Sequence, residues 1–180
     1  IIDSISTDTV CVNDYVNLYG SSTNAFNGVK WSDGNMGGTF TNENGNITSY
    51  YPSTIGLIQL YFTVTGTESC LPAVDSITIV VNGLPAAYAG GSYPAICENT
   101  PLALTNATSS YGSVLWTTSG YGTFDDSTLT NPVYSPTSAD VGYITLTMLV
   151  SNNACPSDID SITIEVSPAP ISIDTTPSSF

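Results

Sequence analysis

The chain repeats itself: residues 97–167 retrace residues 11–82 with slippages of single residues, and a sequence that does this must build one unit twice. Val10-Cys11 returns as Ile96-Cys97, Val16 and Leu18 as Leu102 and Leu104, and Val29-Lys30-Trp31 as Val114-Leu115-Trp116. Gly38-Thr39-Phe40 returns as Gly122-Thr123-Phe124, and Tyr50 and Pro52 as Tyr134 and Pro136. Leu60-Tyr61-Phe62-Thr63-Val64 falls on Leu146-Thr147-Met148-Leu149-Val150, and Asp75-Ser76-Ile77-Thr78-Ile79 on Asp160-Ser161-Ile162-Thr163-Ile164. The tail from Pro170 to Phe180 has the character of the stretches leading into Cys11 and Cys97, with Phe180 where Val10 and Ile96 stand. The expected division is 1–83 for the first repeat, 84–168 for the second and 169–180 for the first strand of a third, with another cysteine to follow. No charged-then-apolar leader precedes Ile1, so the chain reads as an excised mature fragment of a longer array.

Within each repeat the apolar residues recur with period two, which is the period of a strand with one buried face. In Gln59–Thr65 this turns Leu60, Phe62 and Val64 inward and Tyr61 and Thr63 outward; before it, Val29 and Trp31 point one way and Lys30 the other. Asn44-Gly45 carries a tight-turn dipeptide between Phe40 and Ile47. Many short strands, with a tryptophan between two cysteines, predict an all-β chain of two tandem immunoglobulin-like β-sandwich domains. The linker Asn82-Gly83-Leu84-Pro85-Ala86 is short and holds a proline, which predicts restricted bending.

Fifteen acidic residues face a single basic one, Lys30, and the net charge is −14. Nucleic-acid binding draws on Lys and Arg to neutralise phosphates, so that class of partner is excluded, and anionic membrane surfaces are disfavoured for the same reason. Hydrophobic residues make up 41% of the chain, enough to fold rather than stay disordered, yet no apolar run is long enough to span a bilayer.

The cysteines Cys11, Cys70, Cys97 and Cys155 enclose nearly equal intervals, and with no histidine and no Cys-x-x-Cys they read as disulfide formers rather than zinc ligands. Disulfides imply an oxidising, extracytoplasmic compartment. The favoured pairing is Cys11 with Cys70 and Cys97 with Cys155. Because Cys11 precedes the second strand and Cys70 sits in the loop before the last, places toward opposite ends of an idealised sandwich, a bond from Cys11 to Cys155 stays open as the rival.

The Cys-Val-Asn or Cys-Glu-Asn turn, then Leu115-Trp116-Thr117-Thr118-Ser119-Gly120-Tyr121-Gly122-Thr123-Phe124, Asn131-Pro132-Val133-Tyr134-Ser135-Pro136 and Asp-Ser-Ile-Thr-Ile together resemble the PKD-like (polycystic-kidney-disease-like) immunoglobulin repeats of giant Bacteroidetes surface proteins. Trp31-Ser32-Asp33-Gly34 is a partial match to that family's aspartate-bearing core motif, and Trp116-Thr117-Thr118-Ser119 a weaker one. The resemblance covers nearly the whole chain and implies stalk units of cell-surface adhesins and filaments, gliding adhesins among them, exported by the type IX secretion system. It also brings in Bacteroidetes O-glycosylation at Asp followed by Ser or Thr and a small or aliphatic residue, with acceptors Ser4, Thr9, Ser76, Ser127, Ser161 and Thr175. The plainer account of Asp-Ser-Ile is a turn entering the last strand. The asparagine acceptors Asn46-Ile47-Thr48 and Asn106-Ala107-Thr108 matter only in a host that modifies asparagine.

Without histidine there is no imidazole base, and cysteines tied in disulfides supply no nucleophile, so no catalytic residues are expected and the chain is not expected to be an enzyme. The carboxylate pairs Asp125-Asp126 and Asp158 with Asp160 read as turn residues rather than glycosidase acids. Lys30, pointing outward and replaced by Leu115 in the second repeat, does not read as an isopeptide donor. No cofactor is expected; weak calcium candidates are Asp125, Asp126 and Asp140. Trp31 and Trp116 are expected in the core rather than as sugar platforms, while Tyr50, Tyr51, Tyr88, Tyr93, Tyr111 and Tyr121 are the candidates for exposed contacts. The leading functional expectation is a structural repeat of an extracellular adhesin or filament at a bacterial cell surface. Its partners would be neighbouring repeats of the same chain, further copies in a homopolymer, or glycans. The alternative is a carbohydrate-binding or spacer module of a secreted polysaccharide-degrading enzyme, and a calcium-dependent adhesion domain is a weaker third reading.

Overall fold

The computed structural model describes residues 1–23, 28–67 and 70–170, so the expected third-repeat strand at 169–180 lies outside the described residues beyond Pro170, as does Thr175. The chain forms two compact units: Ile1–Leu84 with Asn152–Pro156, and Pro85–Ser151 with the described part of Ser157–Phe180. The loop Asn152–Pro156, which the sequence division leaves in the second repeat, belongs with the first unit.

In the first unit the strands are β1 (Ile2–Ile5), β2 (Thr9–Cys11), β3 (Val16–Gly20), β4 (Val29–Ser32), β5 (Thr39–Phe40), β6 (Ile47–Tyr51), β7 (Gly56–Val64) and β8 (Ala73–Asn82). They make two four-stranded sheets, β1-β3-β6-β5 and β2-β8-β7-β4. The opening segment is shared between them: β1 runs antiparallel to β3, and β2 then runs parallel to β8 in the other sheet. This is the immunoglobulin arrangement, with both inner faces apolar. Along β7 the alternation buries Ile58, Leu60 and Phe62 and leaves Leu57 and Gln59 exposed. These meet Leu18, Trp31, Tyr50 and Ile79 in one core cluster, and each large side chain there stabilises by roughly 1.5–3 kcal/mol through burial.

The second unit holds β9 (Ala86–Tyr88), β10 (Ile96–Cys97), β11 (Leu102–Ala103), β12 (Thr108–Ser110), β13 (Ser113–Thr118), β14 (Thr123–Phe124), β15 (Val133–Ser135), β16 (Gly142–Ser151) and β17 (Asp158–Ser167). One layer is β10-β17-β16-β13, with β10 again parallel to its neighbour. The other is broken into β11-β15-β14 and β12-β9. Its core gathers Leu104, Trp116, Tyr134, Leu146, Met148 and Ile164. The helical content among the described residues is a single 3-10 turn, Ser138–Asp140, capped by Thr137. No helix there is long and apolar enough to cross a membrane.

Each central tryptophan is held twice. The Trp31 main-chain N–H donates to the Glu43 carbonyl at 2.7 Å, and its indole N–H donates to the Gly45 carbonyl at 2.9 Å. Trp116 does the same to Ser127 and Leu129, at 2.8 and 3.1 Å. The Asn44-Gly45 segment is therefore part of a wider connection, 41–46, rather than a two-residue turn: Asn42 shapes it by accepting from Asn44 and Gly45, and its carbonyls face the tryptophan. Replacing Trp31 or Trp116 with alanine is expected to cost about 3–5 kcal/mol in denaturant unfolding, whereas Leu57→Ala, on an exposed side chain, should stay within about 0.5 kcal/mol.

Candidate functional site: the cysteines, the acceptor serines and the buried carboxylates

Cys11 and Cys155 form a disulfide, with Cα atoms 5.8 Å apart and a sequence separation of 144. Cys70 and Cys97 are free and exposed. This replaces the favoured pairing of Cys11 with Cys70 and Cys97 with Cys155, and the reason is strand length. Cys11 lies beside Asn82 at the end of β8, while Cys70 precedes the start of β8 at Ala73. A strand of that length spans roughly 30 Å, and a disulfide tolerates Cα separations only up to about 7 Å. Cys97 beside Ser167 and Cys155 before Asp158 stand in the same relation across β17. Around the bond, Cys155 N–H and Ala154 N–H donate to the Asn152 side-chain oxygen, and the Asn152 amide donates to the Gly83 carbonyl.

The repeated Asp-Ser-Ile has a structural role that sequence reasoning missed. Asp75 accepts the Ile2 N–H at 2.8 Å and Asp160 accepts the Ala89 N–H at 2.8 Å, so each carboxylate in the last strand pins the opening segment of its own repeat. The hydrogen bonds from Ile2 and then Ser76 hold the Asp75 carboxyl below its ordinary value. Asp158 accepts from Ala87 N–H at 2.9 Å in the same manner, so both carboxylates of the Asp158 and Asp160 pair hold main-chain N–H groups of β9 and the residue after it. The adjoining acceptors Ser76 and Ser161 are exposed, as are Ser4 and Thr9, whereas Ser127 is half-buried.

The calcium candidates accept hydrogen bonds from neighbouring N–H and hydroxyl groups. Asp125 accepts from Asp126 and Val133 N–H, and Asp126 from Thr128, whose hydroxyl and then main-chain N–H lower the carboxyl's pKa. Asp140 is buried. Burial alone would raise its pKa, but the N–H groups of Thr137 and Tyr121 and the Thr137 hydroxyl outweigh it and hold the carboxyl below the ordinary range. Among the described residues no three metal-ligating side chains form a group.

Two buried tyrosines sit against carboxylates or hydroxyls. The Tyr50 hydroxyl donates to Asp33 at 3.1 Å, and Asp33 also accepts from Gly38 N–H. Tyr50 was expected as an exposed contact; it is fully buried, because β6 turns Thr48 and Tyr50 inward and Ile47 outward. Gly38 and Gly122 lie over the hydroxyls of Tyr50 and Tyr134 so closely that any side chain there would collide with the phenol. Tyr134 takes a hydrogen bond from Thr118 and lies against the buried Asp140 carboxylate. Burial first, and then the Asp33 charge, push the Tyr50 phenol above its ordinary value, and burial does the same to Tyr134. Tyr93 packs partly buried on the second core, while Tyr51, Tyr88, Tyr111 and Tyr121 are exposed. Trp31 and Trp116 are buried, and the Lys30 amine is exposed, 3.7 Å from Glu43.

With strand order, core and disulfide in place, the chain is a tandem pair of immunoglobulin-like β-sandwiches. No family model matches it, and no curated protein matches it. Solved structures do. The insect immune protein hemolin aligns at 14% identity with TM-score 0.54, over 94% of this chain and 46% of that one. An I-band fragment from titin aligns at 15% identity and TM-score 0.52, over 93% and 65%. Extracellular domains 3–5 of Drosophila OTK align at 8% identity and TM-score 0.50, over 90% and 59%. The chain thus spans 46–65% of the length of these structures, and at such identities the likeness is one of fold.

Closing a loop of this size contributes roughly 5 kcal/mol by chain entropy, so Cys155→Ser should lower the unfolding free energy by several kcal/mol, read as a fall in the denaturant midpoint. The Asp140 carboxyl, depressed in the fold, contributes stability that is present above the ordinary aspartate pKa near about 4 and is lost as pH falls below it. Asp140→Asn should therefore be destabilising at neutral pH, with the gap to the parent narrowing in acid melts. The raised phenols work in the opposite sense: their stability is complete below about pH 10 and is lost above it, so Tyr50→Phe should flatten the alkaline limb of the stability profile.

Proposed function

We propose that the chain is a structural repeat unit of an extracellular surface adhesin or filament, and that it is not an enzyme. The observation that carries this reading is the Cys11–Cys155 bond, which ties a strand of the first repeat to a loop of the second and requires an oxidising, extracytoplasmic setting. Carboxylates spent on holding strands within each sandwich support a scaffold more than a catalyst. The finer reading follows the sequence resemblance: a PKD-like stalk of a Bacteroidetes surface protein of the gliding-adhesin kind, exported by the type IX system, with residues 169–180 opening a further repeat. Exposure of Ser4, Thr9, Ser76 and Ser161 supports O-glycosylation there ahead of the half-buried Ser127; Thr175 completes the set.

Antibody raised against the chain should label fibres or a coat outside intact cells, and the isolated pair should bind no polysaccharide on a glycan array. Label confined to the cytoplasm, or saturable sugar binding, would overturn this assignment, the latter in favour of a carbohydrate-binding module. Peptide mass mapping of native material should find hexose-bearing peptides at Ser76 and Ser161; unmodified peptides at every acceptor would remove the glycan part alone.

A further inference from the structure

The bonded pair and the free pair occupy equivalent places in the repeat. Cys97 sits in the same turn as Cys11: Thr100 N–H donates to the Cys97 carbonyl and Asp14 N–H to the Cys11 carbonyl, both at 3.1 Å. Glu98 N–H meets the Ser167 carbonyl as Val12 N–H meets that of Asn82, both at 2.8 Å. Asn99 and Asn13 both take the left-handed conformation, with φ 59° and 68°. Cys70 lies in the loop between β7 and β8, and Cys155 in the loop between β16 and β17. Cys11 and Cys155 are buried where they meet, while Cys70 and Cys97 are exposed. The bond that forms therefore joins the early cysteine of one repeat to the late cysteine of the repeat that follows, and it leaves one unused half of each kind.

We infer that Cys97 and Cys70 are the two halves of a second bond of this kind, made between successive copies of the repeat pair: Cys97 of one copy with Cys70 of the copy after it. This rests on the geometry of Cys11–Cys155 and not on the surface role proposed above. The oxidant is a small-molecule disulfide such as oxidised glutathione. The Cys97 thiolate attacks one of its sulfurs and releases a glutathione thiolate, and the Cys70 thiolate of the next copy attacks the Cys97 sulfur and displaces the second. Two protein thiols are oxidised, one glutathione disulfide is reduced to two thiols, and the two protein protons end on glutathione.

Cys97→Ser and Cys70→Ser chains, both altered at exposed positions, are incubated in glutathione redox buffer alone and mixed. A covalent dimer in the mixture only, with a Cys97–Cys70 peptide on non-reducing mapping, is the expected result for separate copies. A tandem chain in which Phe180 is followed directly by Cys11 of a second copy tests the same chemistry within one polypeptide, read as loss of two titratable thiols. A bond in the tandem alone places the partner in the same chain. Dimers forming equally well in either variant alone would mean chance collision, and full retention of thiols in both arms would mean no second bond; either overturns the inference.

Discussion

The sandwich depends on a tryptophan whose two nitrogen donors are both satisfied from across the core. Trp31 belongs to β4, in one sheet, while the carbonyls of Glu43 and Gly45 belong to the connection between β5 and β6, in the other. An indole buried without a partner would forfeit about 1–3 kcal/mol, so the loop must come to it and the sheets must close at a fixed spacing. Phe62 then packs against the ring with centroids 4.6 Å apart, and Phe40 against Tyr50 at 4.7 Å. The second unit repeats the device with Trp116, Phe124 and Tyr134, although one of its layers is broken into shorter pieces.

The all-β architecture and the buried tryptophans were legible because both follow from local alternation, and repetition read each pattern twice. What failed depended on information that alternation does not carry. Tyr50 escapes simple alternation, because on β6 the apolar Ile47 faces solvent while Thr48, satisfied by Thr41 and Asn42, faces in with it. Its recurrence as Tyr134 opposite a recurring glycine was the usable signal. The cysteine pairing failed for a different reason. Matched intervals say that two repeats are alike, but which cysteines meet is decided by the strand ends at which they sit, and β8 carries Cys70 far from Cys11.

Charge is handled by exchange rather than by strict repetition. Where the first unit places Asp33 two residues beyond its tryptophan, the second has Thr118, and where the first has Thr54 before Gly56, the second has Asp140 before Gly142. Each unit thus keeps one buried carboxylate near its tyrosine, supplied from a different element. Asp33 draws on the N–H groups of Asn35 and Gly38, and Asp140 on those of Tyr121 and Thr137, so each anion is solvated by main chain instead of water. A nearly lysine-free protein has no cation to spare for such sites, and turns full of N–H donors take that part.

The Cys11–Cys155 bond also sets the load path. When tension is applied at the two ends of this chain, it passes from β2 through the sulfurs directly to the residues before β17. The 144-residue interval between the cysteines, about 500 Å of chain if fully drawn out, is removed from the extensible length. Both cores lie largely inside that closed loop. The strands outside the loop, β1 and β17, still bear the pull, but the enclosed interval cannot be drawn out for as long as the bond is oxidised.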